Sequence, residues 1–581
     1  VVYDKAVSVA CDRIAPEKFA ELLRNYADFL QENKQYHLVG FLYDEALSIY
    51  RRLAIQNPEA FDSDVATTLN NLADLHSDTQ RFNKAELEYG EALEIRRHLA
   101  EKNPETFDSD VAMTLNNLAA LHYQTQRYDL AEQEYNEALE IRRRLAEKNP
   151  EAFECDVSTT LNNLATLHRD IKCLDRAEQE YNEALKIQRR LAEKNPQAYD
   201  SNVAGTLNNL ATLHRDIKHL DRVEQEYNEA LEIYRRLAEK NPEAFVCNVA
   251  MTLDNLASLH SDTQRLDKAE QEYGEALEIR RHLAGKNPEA FVSDVAVTLN
   301  NLGNLHCQAQ LFDAAEQEYS EALEIYRRLA EKSPEAFDSN VAVTLNNLAI
   351  LHKKTQRFDL AEQKYSEALE IRRRLAEKTP EVFDSNVAQS LNNLANLHKE
   401  TLRFDKAEQE YNEALKIRRL AEKSLEAFGS DVADTLNNLA TLHRDNKRLD
   451  RAEQEYNEAL EIYRRLAEKD PEASVRDVAL TLNNLGNLHF DTQHFDKAEQ
   501  EFGEVLEIRR HLAEKNHEVF DNDVADTLVN YAIMHANTQR YDKAIEEFKK
   551  ALEIYHRMAE YTYVDEVWVK VIESCLYDLQ R

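Results

Sequence analysis

Glycine and proline are scarce, with nine and ten in 581 residues. The chain has no Gly-x-Gly-x-x-Gly, P-loop or Gly-x-Ser-x-Gly segment, so the usual phosphate cradle and the strained nucleophile turn are both missing. Tryptophan occurs once, at Trp568, and no apolar run approaches the roughly 20 residues that a membrane-spanning helix needs. Mean hydropathy is -0.66. Basic residues are outnumbered, 72 Lys and Arg against 108 Asp and Glu, for a formal net charge of -36. Nucleic-acid affinity rests on neutralising phosphates, so the balance argues against a nucleic-acid partner and favours proteins. Six cysteines (Cys11, Cys155, Cys173, Cys247, Cys307, Cys575) form no CxxC and no even framework, which fits a reducing, cytoplasmic compartment. No signal peptide is present.

What the chain does have is one pattern. The block Leu-Asn-Asn-Leu-Ala-x-Leu-His begins at Leu69, Leu115, Leu161, Leu207, Leu253, Leu299, Leu345, Leu391, Leu436, Leu482 and, degraded, Leu528. Each step is 46 residues except one of 45, where Lys416-Ile417-Arg418-Arg419-Leu420 has one arginine fewer than its sisters. A degenerate copy at Leu23 makes twelve repeats. In the repeat around Asp110, residues Val111, Leu115, Leu118, Ala119 and His122 follow the 3.6-residue period and define a helix A. Asp129, three residues before Glu132, suggests a capping box that starts helix B near Leu130. Ala131, Tyr135, Ala138, Leu139, Leu145 and Ala146 face inward, Glu140 pairs with Arg144 outside, and Asn149-Pro150 stops helix B near Lys148. Glu151-Ala152-Phe153 reads as a short turn. No strand pattern appears. Each pair has too much apolar stripe to stand alone, so stacking supplies the core.

The small, aromatic and small positions Ala131, Tyr135 and Ala138, with Leu115, Leu118 and Ala119 before them, resemble the two helices of a tetratricopeptide repeat, and Gly303 and Gly486 sit where that family has its usual glycine. The 46-residue period and the Ala-Glu-x-x-Tyr-x-Glu-Ala-Leu-Glu-Ile segment are most similar to the kinesin light chain class, and bacterial sensor and scaffold proteins carry arrays of this kind. The resemblance implies an all-α right-handed superhelical solenoid. Expected boundaries are a partial helix of a preceding repeat over 1–15, twelve repeats over 16–560 and a closing helix over 561–581, the last carrying Trp568, Val571, Ile572, Leu576 and Leu579. An array that opens in mid-repeat, without an initiator methionine, points to sequence upstream of Val1.

The eleven histidines that end helix A, His76 to His535, are the one set that could suggest a metal. They come one per repeat, about 10 Å apart at helix-packing distances, whereas zinc ligands share one ion at about 2 Å. They read as structural, and neither metal nor cofactor is expected. Carboxylates crowd helix B and read as a solvated outer face.

Binding is the better-supported task. On the helix-A side opposite the leucines, the position of Met113 varies among Thr67, Met113, Thr159, Gly205, Met251, Val297, Val343, Gln389, Asp434, Leu480 and Asp526, and the position of Ala120 varies as freely, while helix B hardly varies. The tetratricopeptide resemblance places this side along the concave groove. The residue after the histidine supplies cations (Arg169, Arg215, Lys353, Lys399, Arg444) or an aromatic (Tyr123, Phe490), suited to a partner with acidic residues. Neighbouring Asp170, Asp216, Glu400 and Asp445 could instead neutralise these cations locally. The first asparagine of each pair (Asn116, Asn162, Asn208, Asn346, Asn392) faces the groove, where an amide can serve an extended peptide backbone, as the kinesin light chain resemblance implies. The second, from Asn25 to Asn530, is expected to bond a neighbouring helix. The leading function is therefore a non-enzymatic module that recognises a peptide or protein, and the resemblance extends this to the sensor arm of a larger regulatory or defence protein. The alternative is a scaffold or filament, a homo-oligomer built by end-to-end stacking.

Overall fold

The structure, a computed structural model, describes residues 14–32, 36–217, 219–420, 425–469, 471–515, 517–558 and 566–579. Among these residues there is no strand, and 24 helices from Pro16–Glu32 to Tyr541–Met558 form twelve consecutive pairs, followed by Glu566–Leu579. The fold is an all-α tetratricopeptide-like solenoid. The expected partial helix over 1–15 lies almost wholly outside the described residues. The chain divides after Phe383 into two compact parts, and within each part every helix packs on the next.

In the specimen repeat, helix A spans Pro104–Gln124 and helix B Tyr128–Lys148, with the next helix A beginning at Pro150. Proline here is a helix starter. It occupies the first helical position, where its missing N–H has no partner to lose and its fixed φ suits the helix. Glu151-Ala152-Phe153 is therefore helical, in place of the turn expected from sequence.

The expected capping box is also absent. Arg127 occupies the N-cap position of helix B with no side-chain cap, and Asp129 lies inside the first turn, where its charge complements the helix dipole. What fixes the corner is the end of helix A. Gln126 adopts φ 59, the Gln126 N–H donates to Tyr123 O at 3.0 Å, and the Arg127 N–H donates to His122 O at 2.8 Å. These two bonds make a Schellman turn with glutamine where glycine is usual, and the same left-handed residue recurs from Gln80 to Gln539.

Val111, Leu115, Leu118, Ala119, Tyr135, Ala138 and Leu145 are buried as expected from the period. Glu140 and Arg144 do not pair; Arg144 instead reaches Asp108 on the preceding helix A at 2.7 Å. The closing helix packs Ile572 and Leu576 onto the last repeat, with Leu579 alongside and Val571 exposed. The Trp568 side chain lies outside the described residues. Cys155, Cys173, Cys247, Cys307 and Cys575 are in no disulfide, and Cys11 lies outside the described residues. No helix among the described residues is long and apolar enough to cross a membrane.

Candidate functional site

The helix-A face opposite the leucines is built by stacking, and most of its polar groups bond to one another. The first asparagines form a ladder between repeats. Asn162 Nδ2 donates to Thr206 Oγ1 at 2.7 Å, Asn208 to Thr252 at 3.0 Å and Asn392 to Thr435 at 3.1 Å. Asn116 accepts at Oδ1 from Asn163 Nδ2 at 3.3 Å, and Asn346 is half-buried. In Asn162, Asn208 and Asn392 the Oδ1 is buried and unpartnered. These amides hold the array in register, and their donors are not turned out to a peptide as expected from sequence. The second asparagines also reach across: Asn71 Nδ2 donates to Asp28 at 2.9 Å, and Asn530 to Asn483 at 3.3 Å.

The residues after the histidine lie along one edge of this face. Arg169 bonds Asp170 at 2.9 and 3.0 Å and approaches Asp216 of the next repeat at 3.7 Å, while Arg444 lies 3.7 Å from Asp445. Arg215 donates to Ser258 Oγ at 3.0 Å, and the Tyr123 hydroxyl donates to Asp170. Phe490 packs at a tilt against Phe495 with ring centroids 6.0 Å apart. Lys353 and Lys399 are half-buried. For Arg169 and Arg444 the neutralisation by neighbouring acids is what the structure contains, so a uniform cationic stripe is not present.

The two variable positions divide. The position of Ala120 serves the helix-B tyrosine fifteen residues on. Tyr89 donates to Asp74, Tyr319 to Asn304 at 2.6 Å and Tyr411 to Asn396 at 2.6 Å, while Thr166, Thr212 and Thr441 share a bond with Tyr181, Tyr227 and Tyr456. In these repeats its variation is an exchange of hydrogen-bond partners. The position of Met113 behaves differently. Asp434 and Asp526 accept from Tyr463 and Tyr555, but Met113, Met251, Val297, Val343 and Leu480 are each 38–49% exposed.

Helix B is not a solvated face either. Its first arginine is buried and crosses to the next repeat: Arg142 Nη1 donates to Asp156 O at 3.1 Å, and Arg96, Arg280 and Arg509 repeat the bond. Arg372 is buried in the same place. The second arginine reaches a glutamate 40 residues on, as Arg143 does to Glu183 at 2.7 Å. The Glu-Gln-Glu pair grips the histidine. Glu134 lies 2.7 Å from His122 Nδ1, and Glu86 of the preceding repeat lies 3.3 Å from His122 Nε2 while taking Arg127 in a two-pronged bond at 2.8 and 2.9 Å. Both ring nitrogens are thus committed to carboxylates. The invariance of helix B follows from these contacts between repeats.

Models described as tetratricopeptide repeat match residues 156–236, 294–374, 340–420 and 431–511, then 65–105, 111–151 and 249–289, and finally 525–555. The chain belongs to the tetratricopeptide repeat family. Such repeats form protein-protein interaction or scaffold modules. The solved structure of BtubC (BKLC) from P. vanneervenii is similar at 31% identity, covering 44% of this chain and 94% of that one, with a TM-score of 0.37. No curated protein matches the chain.

The histidine feet make the stability of this tetratricopeptide array depend on pH. In His168, His443 and His489 burial opposes the charge, but the paired glutamates outweigh it and raise the imidazole above its ordinary 6.5. In His214 the Glu226 bond is the largest cause of the same rise. A raised imidazole stabilises fully below about pH 6.5, and that contribution is lost as pH climbs through the folded value. Burial raises Glu272, Glu318 and Glu547, which acts in the same direction above their ordinary 4.5. Lys497 and His489 draw Glu453 down to about 2, and Arg540, against burial and with His535, does the same for Glu499, so those contributions disappear as pH falls from 4.5 towards 2. The urea midpoint should therefore peak in the mildly acidic range and fall between pH 6.5 and 8. A midpoint that rises over that interval would refute the histidine assignment.

Proposed function

We propose that the chain is a non-enzymatic recognition module that takes a peptide or protein along its helix-A face. The observation that carries this reading is the row of exposed apolar side chains at one repeat position, with Met251, Val297 and Val343 in three successive repeats. Isolated exposed apolar residues are ordinary, but a row at one register position is a surface that gains by being covered. The asparagine ladder beneath keeps the row in register, so the partner meets a preformed surface and little ordering is needed on binding. Selectivity comes from the exchange of Met, Val, Leu, Thr, Gln and Asp at that position, and the half-buried Lys353 and Lys399 at its edge suit a partner carrying acidic residues.

The test is a selection of displayed random peptides on the full chain, followed by binding of the selected peptides to two variants. Met251→Ser with Val297→Ser and Val343→Ser should weaken them by tenfold or more. Glu140→Ala with Glu278→Ala and Glu324→Ala, on helix B, should leave them within twofold. The opposite ranking would place recognition on helix B and end the helix-A reading.

A further inference from the structure

One histidine foot departs from its sisters. In ten repeats the histidine Nδ1 lies 2.6–2.8 Å from a glutamate twelve residues on. Twelve residues after His352 the chain has Lys364. His352 is 4% exposed and its Nδ1 is buried without a partner. Burial, then the nearby Arg357, hold the imidazole below its ordinary pKa, with Lys364 adding to them against Glu316. The nearest carboxylate to Lys364 is Glu367, at 3.9 Å.

A second carboxylate is missing further along the preceding helix B. The last arginine of the helix-B run pairs with an acid 36 residues back: Arg144 with Asp108, Arg190 with Glu154, Arg236 with Asp200 and Arg374 with Asp338, all at 2.7–2.8 Å. For Arg328 that place is held by Val292, and among the described residues Arg328 has no ion pair. Arg328, His352 and Lys364 line one open pocket of about 590 Å³ together with Glu316, Ser320 and Arg327. Glu324 and Glu331, on the same helix as Arg328, lie along its rim. Glu316 is already held by Arg357 at 2.8 and 3.1 Å, and Arg327 by Glu367.

We propose that this pocket docks the carboxylates of an acidic segment of a protein partner. The sister repeats show which group the geometry accommodates: a carboxylate against the imidazole Nδ1 and another against the arginine Nη2. Here the chain's own acids are replaced by Lys364 and Val292, which removes two negative charges and adds a positive one in a protein of net charge -36. An incoming carboxylate restores the bond to a buried donor whose desolvation is already incurred, which makes such a bond stronger than one formed at an open surface. The long Lys364 side chain can turn outward with the ligand while keeping its ammonium close. The pocket is lined mainly by helix B and is separate from the helix-A row.

The probe is a fluorescein-labelled eight-residue peptide of alternating Glu and Ala, with its Gln-for-Glu counterpart, read by anisotropy on the full chain. The Glu peptide should bind and the Gln peptide should not. Lys364→Glu with Val292→Asp returns both positions to residues that the sister repeats already carry, so the variant should fold, as its melting curve would show, and binding should weaken at least tenfold. Lys286→Glu with Val571→Asp changes the net charge equally at exposed positions and should weaken binding less than twofold. No binding to the wild-type chain, or equal losses in the two variants, would overturn the proposal. So would inorganic phosphate binding the wild-type pocket where the Glu peptide does not. If the Met251, Val297 and Val343 variant alone loses the Glu peptide, helix-A recognition stands and the pocket assignment fails.

Discussion

Replacing Leu253 by Asp should convert one cooperative melting transition into two, with the repeats on either side of the lesion unfolding separately. Leu253 is 2% exposed within a cluster shared by Leu207, Leu210, Tyr227 and Leu256. Losing a buried leucine costs about 2–5 kcal/mol, and a carboxylate with no partner in that place adds several more, or stays protonated. The damage remains local because the main packing of each helix is on its neighbours along the array, and more distant contacts among the described residues, such as Arg81 with Glu335 at 3.7 Å, are sparse. Stability in such an array is a sum over repeats and their interfaces, so a broken interface uncouples what it joined. Differential scanning calorimetry reads the outcome directly. One transition at an unchanged temperature would contradict the nearest-neighbour picture.

The second large effect concerns a buried ion pair on the helix-A face. Asp254 stands where most sister repeats have asparagine, and Arg280 reaches it from helix B at 2.7 Å with both side chains 8% exposed. Burial, against the pull of Arg280, still pushes the Asp254 carboxyl up to about 6. Arg280→Met should cost about 3–5 kcal/mol at pH 7, because it leaves a buried charge unpaired. The loss should shrink at pH 5, since a carboxyl raised in the folded state is stabilised by protonation and that stabilisation disappears as pH rises through its folded value. Asp254→Asn should cost little, because in the repeat where Asn116 holds the equivalent position Arg142 is still buried and keeps its bond to the next helix A, as Arg280 does to Asp294 O at 3.0 Å. Chemical denaturation of the two single variants and the pair Asp254→Asn with Arg280→Tyr, a combination already present as Asn208 and Tyr234, separates these terms. An Arg280→Met variant as stable as wild type at pH 7 would remove the ion pair from the account.

Where reading of the repeat went astray, the cause was the same each time. Helix B does end at Lys148 before Asn149-Pro150, but Glu151-Ala152-Phe153, which reads as a turn, is the first turn of the next helix, and only the position of that helix shows it. Helix-B carboxylates such as Glu134 read as outward because a helix wheel assigns charge to solvent, whereas Glu134 meets His122 12 residues back, and Arg142 on the same helix reaches Asp156 and Thr160 14 and 18 residues on. Variation at Asp74, Thr166 and Asn304 looked like tuning for a partner, yet it tracks the tyrosine 15 residues later.

The sequence alone determined the helical class, the period, the leucine core and membership of the array, because these follow from local periodicity and from near-identical copies that need one another's apolar stripes. Tertiary structure alone decided which polar residues are occupied. Hydrogen bonds between repeats join residues 13 to 47 apart, separations at which nothing in helix geometry indicates contact. For the same reason the unpartnered His352 and Arg328 could be recognised only once the bonds of their sisters were in place.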